Sequence, residues 1–150
     1  MEKIRKDIFI AMTTRGRVND QRTLKRLCPE VLSRVTLFCH PGELKDHEKD
    51  WKGKVRVITE YDSKARHMGE IREWIAANAP DNKVIFMDDN ISFSVRQEWA
   101  KTPRVINKKN FSEEEIRDKQ IELFNWLWDE IDKEDVGVAA PSFRPFNRYG

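Results

Sequence analysis

Asp88, Asp89 and Asn90 follow directly on Val84-Ile85-Phe86-Met87, so two adjacent carboxylates and an amide stand where an apolar run ends. Adjacent carboxylates repel, and a hard divalent cation such as Mg2+ or Mn2+ relieves that repulsion while bridging to a substrate's phosphates. The same side chains also serve without metal, or simply cap and turn the chain. A second group, Thr13-Thr14-Arg15-Gly16-Arg17, combines hydroxyls, a glycine that lets the backbone approach a ligand, and two guanidiniums, the side chain best matched to phosphate. It suits a nucleotide or a diphosphate, yet it is neither a Walker loop nor a GxGxxG fingerprint. A third group, Lys64, Arg66, His67 and Arg72, surrounds the entry of a helical stripe with Gly69 nearby, a natural place for an anion. Arg72, in the first or second turn, is placed to face the aspartates. Solvated faces with local ion pairs account for the basic residues equally well.

Other chemistries lack their residues. His40, His47 and His67 have no HxH or HExxH spacing, and no GxSxG elbow is present. Cys28 and Cys39 form neither a disulfide framework nor a zinc set, and are expected as buried thiols. Of the five tryptophans, Trp74 and Trp128 fall in core-facing helical phase, whereas Trp126 and Trp99 are candidates for an exposed stacking platform. Arg96, Lys101, Arg104, Lys108 and Lys109, then Arg144 and Arg148, interleave with aromatics in a way that could track a phosphate backbone or merely be solvated. With 28 basic and 26 acidic residues the net charge of +2 neither demands nor excludes nucleic acid. At 150 residues the chain is expected to form one domain that keeps any large substrate on its outside. No run of 18 apolar residues occurs, and no cleavage-type segment follows the short apolar run near the start, so a soluble, cytoplasmic protein is expected.

The elements that must position these groups alternate. The apolar run at 7–12 reads as a buried strand, those at 35–39, 55–58 and 84–87 as further short strands, and 136–140 as a last strand-like run. Leu24, Leu27, Val31 and Leu32 mark a helix broken at Pro29, and Ile71, Trp74, Ile75 and Ala79 mark one over 68–79. Ser112 with Glu115 forms a capping box that opens a helix running to Ile131. Alternating strands and helices imply a mainly parallel sheet. The polar clusters 13–17, 40–43 and 88–90 all fall at carboxyl ends of strands, where such sheets gather ligands.

The order IFIAMTTRGR, VTLFCHPGE, HMGEIREWIAANA, KVIFMDDN resembles the nucleotide-binding half of a GT-A glycosyltransferase. More narrowly it resembles the TET-associated glycosyltransferases of bacteriophages and their relatives, whose first strand leads into a Ser-Lys-Gly-Arg-like loop. The resemblance spans residues 7 to 96 and, less clearly, VGVAAPSF. It implies a three-layer α/β Rossmann-like GT-A fold, and a single domain over residues 1–150 whose acceptor half is reduced or missing. It also implies a glycosyl transfer from a nucleoside diphosphate sugar, taken as a UDP-sugar, to a hydroxylated acceptor, a modified base in DNA. The setting implied is a host cytoplasm.

Under that resemblance Asp88, Asp89 and Asn90 occupy a DxD-type motif. Asp88 and Asp89 hold Mn2+ or Mg2+ and the diphosphate, and Asn90 replaces a third carboxylate. Thr13, Thr14, Arg15, Gly16 and Arg17 belong to the first-strand loop that touches the nucleotide, and Arg72 to the basic position of the preceding helix. His40 stands where an acidic residue often follows the second strand, and Glu73 where Asn is common. No catalytic base is implied; Glu98, Glu113 and Asp135 are candidates by residue type alone. The alternative is a catalytically reduced nucleotide- or DNA-binding module of the same fold, and a nucleotidyltransferase-like enzyme using an NTP is a third possibility.

Overall fold

The computed structural model describes residues 2–59, 67–95 and 104–133. Its centre is a four-stranded parallel sheet of β1 (Ile10–Thr14), β2 (Val35–Cys39), β3 (Arg56–Ile58) and β4 (Ile85–Met87), in the order β3-β2-β1-β4. All ten residues of β1 and β2 are buried, which is why both read as continuous apolar or small-residue runs instead of alternating ones. The order reverses at β1: the chain steps outward through β2 and β3, then returns to place β4 on the other side.

The first strand starts and ends later than the expected 7–12. Thr13 and Thr14 are strand residues, opposite Phe38 and Cys39, and their side chains are buried. Threonine is β-branched and suits a pleated, covered surface, so the ligand-facing turn begins only at Arg15. The helix after β1 is divided as Pro29 requires, into α1 (Arg22–Arg26) and α2 (Pro29–Leu32), with Pro29 at the first position of the second. A 3-10 turn, Pro41–Glu43, leads into α3 (Leu44–Trp51), a helix that sequence periodicity does not announce. Its sequence LKDHEKDW buries only His47 and Trp51, a four-residue spacing too sparse for a visible stripe.

The two remaining long helices are α4 (Met68–Asn78) and α5 (Glu113–Glu130). Helix α5 begins on the expected capping box, with Ser112 accepting from the Glu115 amide and the Glu115 carboxylate accepting from the Ser112 amide. Between β4 and α5 the short strands β5 (Ser94–Val95) and β6 (Arg104–Val105) pair antiparallel. The strand expected at 136–140 lies outside the described residues, as do Lys64, Arg66, Arg96, Glu98, Trp99, Lys101, Asp135, Arg144 and Arg148.

Helices cover both faces of the sheet. On one, Leu24, Val31, Trp51, Ile121, Phe124 and Trp128 from α1, α2, α3 and α5 join Ile10, Met12 and Leu37 in one apolar cluster. On the other, α4 contributes Ile75 to a smaller cluster with Ala11 and Phe38. Both cysteines are buried and free, as expected, and Trp128 is in the core, while Trp74 is only half-buried and Trp126 stands 50% exposed. No helix among the described residues is long and apolar enough to cross a membrane.

Candidate functional site at the β1–β4 crevice

In an open parallel sheet the loops on either side of a reversal in strand order diverge and leave a crevice at the carboxyl ends. Here those loops are Arg15–Asp20, after β1, and Asp88–Asn90, after β4. Register places Met12 opposite Met87, so the residues beyond each emerge side by side although they are far apart in sequence.

The two aspartates point to different partners. Asp89 turns inward, its side chain 14% exposed, where Oδ2 accepts from the Thr14 hydroxyl at 2.8 Å and Oδ1 meets Arg17 Nε at 3.0 Å. Asp88 turns outward, its side chain 60% exposed, and its Oδ1 lies 2.5 Å from Arg72 Nη2, reached from the second turn of α4. Arg17 also pairs with Asp20 at 3.5 Å, while Arg15 is exposed on the turn beside Gly16. Gly16 has φ +74°, a conformation disfavoured for residues with a Cβ. Its amide donates to Glu43 Oε1 at 2.6 Å, joining the β1 loop to the turn after β2.

Residues 8–150 match the TET-Associated Glycosyltransferase family. The chain belongs to that family. Comparison with curated proteins and with solved structures gives no match. A TET-associated glycosyltransferase transfers a sugar, so a crevice that gathers arginines and carboxylates at the sheet's switch point is the natural candidate for its site. The family match runs on past the Asp88–Asn90 turn to residue 150, beyond the span over which the motifs carry the resemblance.

Of the residues singled out from sequence in this glycosyltransferase, Thr14, Arg17 and Asp89 form one bonded group, and Arg72 and Asp88 another. Arg15, Gly16 and Asn90 border the crevice on its two turns, with Arg15 and Asn90 exposed. Thr13 lies in the strand with its side chain buried. His67 caps α4, its Nδ1 accepting from the Glu70 amide at 3.4 Å, and His40 similarly accepts from Gly42. Glu113 is exposed in the first turn of α5 beside Lys108. Among the described residues no group of three or more His, Cys, Asp or Glu side chains is assembled for a metal ion. The Cys39 thiol, at the end of β2, is pushed up to about 11 by burial and by Glu43 and Glu48, and is not a nucleophile near neutral pH.

Sequence reading missed the residues that hold the Asp88–Asn90 turn in place. Thr23, fully buried in α1, donates its hydroxyl to the Asp88 carbonyl at 2.6 Å and accepts from the Ile91 amide at 2.7 Å; its own amide donates to the Asp89 carbonyl at 3.1 Å. Arg26 donates to the Ile91 carbonyl at 2.6 Å. Gln21 donates to Thr14 Oγ1 at 2.8 Å. One signal was available: Thr23 lies four positions before Leu27 on the buried helical phase, and a polar residue there requires a partner.

Proposed function

We propose that the crevice between β1 and β4 binds a nucleoside diphosphate sugar, a UDP-sugar in the first instance, and that the protein transfers its sugar to a hydroxylated base in DNA. The fold is proposed to be of the GT-A type. The observation that carries the reading is the pairing, at the switch point of the sheet, of Asp89 with Arg17 and of Asp88 with Arg72. Arginines from two separate elements thus flank one turn, and guanidiniums bind diphosphate oxygens by paired, charge-assisted hydrogen bonds.

The roles of the two carboxylates differ. Asp89 has both oxygens engaged by Thr14 and Arg17, so it stiffens the floor of the crevice. Asp88 is the exposed carboxylate, with Asn90 exposed beside it. This donor set fits a hard cation that takes one or two protein oxygens and draws its other ligands from water and diphosphate, the usual habit of Mg2+. Asp88 is the residue that would hold the ion, with Asn90 as a neutral oxygen donor. When bound, the ion offsets charge on the departing diphosphate. Arg15, Arg17 and Arg72 act in the same sense, as positive groups placed before the reaction begins. As the acceptor hydroxyl oxygen bonds to the sugar's anomeric carbon, its proton passes to solvent, the bond to the diphosphate oxygen breaks and that electron pair leaves with the diphosphate.

Calorimetric titration of UDP-glucose and of UDP, with manganese and then with EDTA, tests the reading. Metal-dependent binding that survives moderate salt and disappears in Asp88→Ala supports it. Wild-type affinity in Asp88→Ala removes the assignment, and absence of binding under either condition favours a degenerate or purely nucleic-acid-binding protein.

A further inference from the structure

Gln21 is 1% exposed and occupies the N-cap of α1, yet its side chain makes no capping bond. Glutamine is not among the side chains favoured at that position, so the helix itself does not explain it. Its amide turns toward the crevice: Nε2 donates to Thr14 Oγ1 at 2.8 Å and to the Arg17 carbonyl at 3.2 Å. Its Oε1 is buried and finds no partner among the described residues. A buried amide with half its capacity unmet is unfavourable for packing alone. The placement is explained by what Nε2 holds.

Thr14 has a single hydroxyl proton. Because Nε2 of Gln21 already directs a proton at Oγ1, the hydroxyl proton must leave in another direction, and the acceptor there is Asp89 Oδ2 at 2.8 Å. That bond fixes the carboxylate, whose other oxygen faces Arg17 Nε at 3.0 Å. The bond from Gln21 to the Arg17 carbonyl ties down the backbone that carries the guanidinium. We infer that Gln21 is a positioning residue: it sets the direction of the Thr14 hydroxyl and through it locks the Asp89 carboxylate against Arg17. Its consequence for sugar-nucleotide binding rests on the reading proposed above, but its effect on Arg17 does not.

Gln21→Glu keeps the shape and reverses the polarity, since an ionised carboxylate only accepts and draws the Thr14 proton away from Asp89. At pH 8 this variant is expected to weaken UDP-glucose binding about tenfold, the size of one lost charge-assisted hydrogen bond. It is also expected to speed solvent exchange of the Arg17 Nε–H, followed by nitrogen-15 NMR without nucleotide, by a similar factor. Gln21→Met removes the donor without reversing it and is expected to fall between; it also serves if the glutamate variant does not fold. In a Thr14→Val background, Gln21→Glu is expected to add less than it does in the wild type, because only its bond to the Arg17 carbonyl is left to lose. Losses that add in full in the double variant overturn the inference. So does a lowered melting temperature with unchanged Arg17 exchange, which marks a packing role only. If wild-type protein fails to bind UDP-glucose, the functional reading falls while Arg17 exchange still decides the role of Gln21.

Discussion

On the face carrying α1, α2, α3 and α5, the sheet is covered by a continuous apolar layer in which Ile10, Met12, Leu24, Leu37 and Phe124 are almost wholly excluded from water. On the opposite face the buried apolar cluster among the described residues is Ala11, Phe38 and Ile75, and Ile71, Trp74 and Val84 around them remain partly exposed. The site inherits the difference. Asp89 is gripped by Thr14, which follows Ile10 and Met12 in the strand's alternation, and by Arg17. Asp88 is met by Arg72 from helix α4, which buries Ile75 alone among its own residues. Among the described residues, Asp89 thus sits on the more deeply buried side of the crevice and Asp88 on the more exposed one.

Removing a side chain from each face tests this contrast most strongly. Phe124→Ala is expected to cost about 3–5 kcal/mol, and Ile75→Ala about 2 kcal/mol because water reaches its partly exposed neighbours, as measured by urea unfolding. Equal costs would break the comparison.

The aspartates come next. Asp89→Ala leaves Arg17 and the Thr14–Gln21 pair without their acceptor and is expected to cost about 1–3 kcal/mol. Asp88→Ala, whose pair is exposed, is expected to change stability by less than about 1 kcal/mol. A destabilised Asp88→Ala protein would show that α4 seats its side of the crevice as firmly as the other.

Ser112→Ala sharpens the contrast from the well-packed side, with an expected loss of about 1 kcal/mol from the α5 capping box. Nucleotide binding should not change, because the loss is confined to the start of that helix. A drop in UDP-glucose affinity would tie α5 directly to the crevice.

A pH dependence tests the buried end of β2. Burial raises the Cys39 thiol from 9.0 to about 11 in the folded chain, so the folded state binds more protons than the unfolded state between those values. Stability is therefore fully present below pH 9 and declines as pH rises toward 11. Cys39→Ser is expected to lose part of that alkaline slope in urea melts at successive pH values, and an unchanged slope would place the titration elsewhere.

Much of this was legible in the sequence, and for local reasons. The Asp88–Asn90 turn at the end of an apolar run, the break at Pro29, the stripe of α4 and the capping box of α5 all depend on residues within a few positions of one another. The placement of Arg72 near the aspartates also followed from its position in the first turns of a helix that precedes the strand. Helix α3 carries no periodic signal because only two of its eight residues are buried, and Thr13 and Thr14 look like loop residues because hydroxyls are polar even when a parallel sheet covers them.

By itself the sequence determined the alternation of strands and helices and the chemical types at the strand ends, since periodicity, proline and caps act along the chain. Only the tertiary structure decided that Arg17 meets Asp89 while Arg72 meets Asp88, and that Gln21 and Thr23 brace the turn between them. Those pairings follow from β4 lying beside β1 with Met87 opposite Met12, a register in which Met87 and the partly buried Ile85 join Ile10 and Met12 in one apolar cluster. Neighbours across a parallel sheet are separated in sequence by whole crossovers, so spacing along the chain carries no record of them.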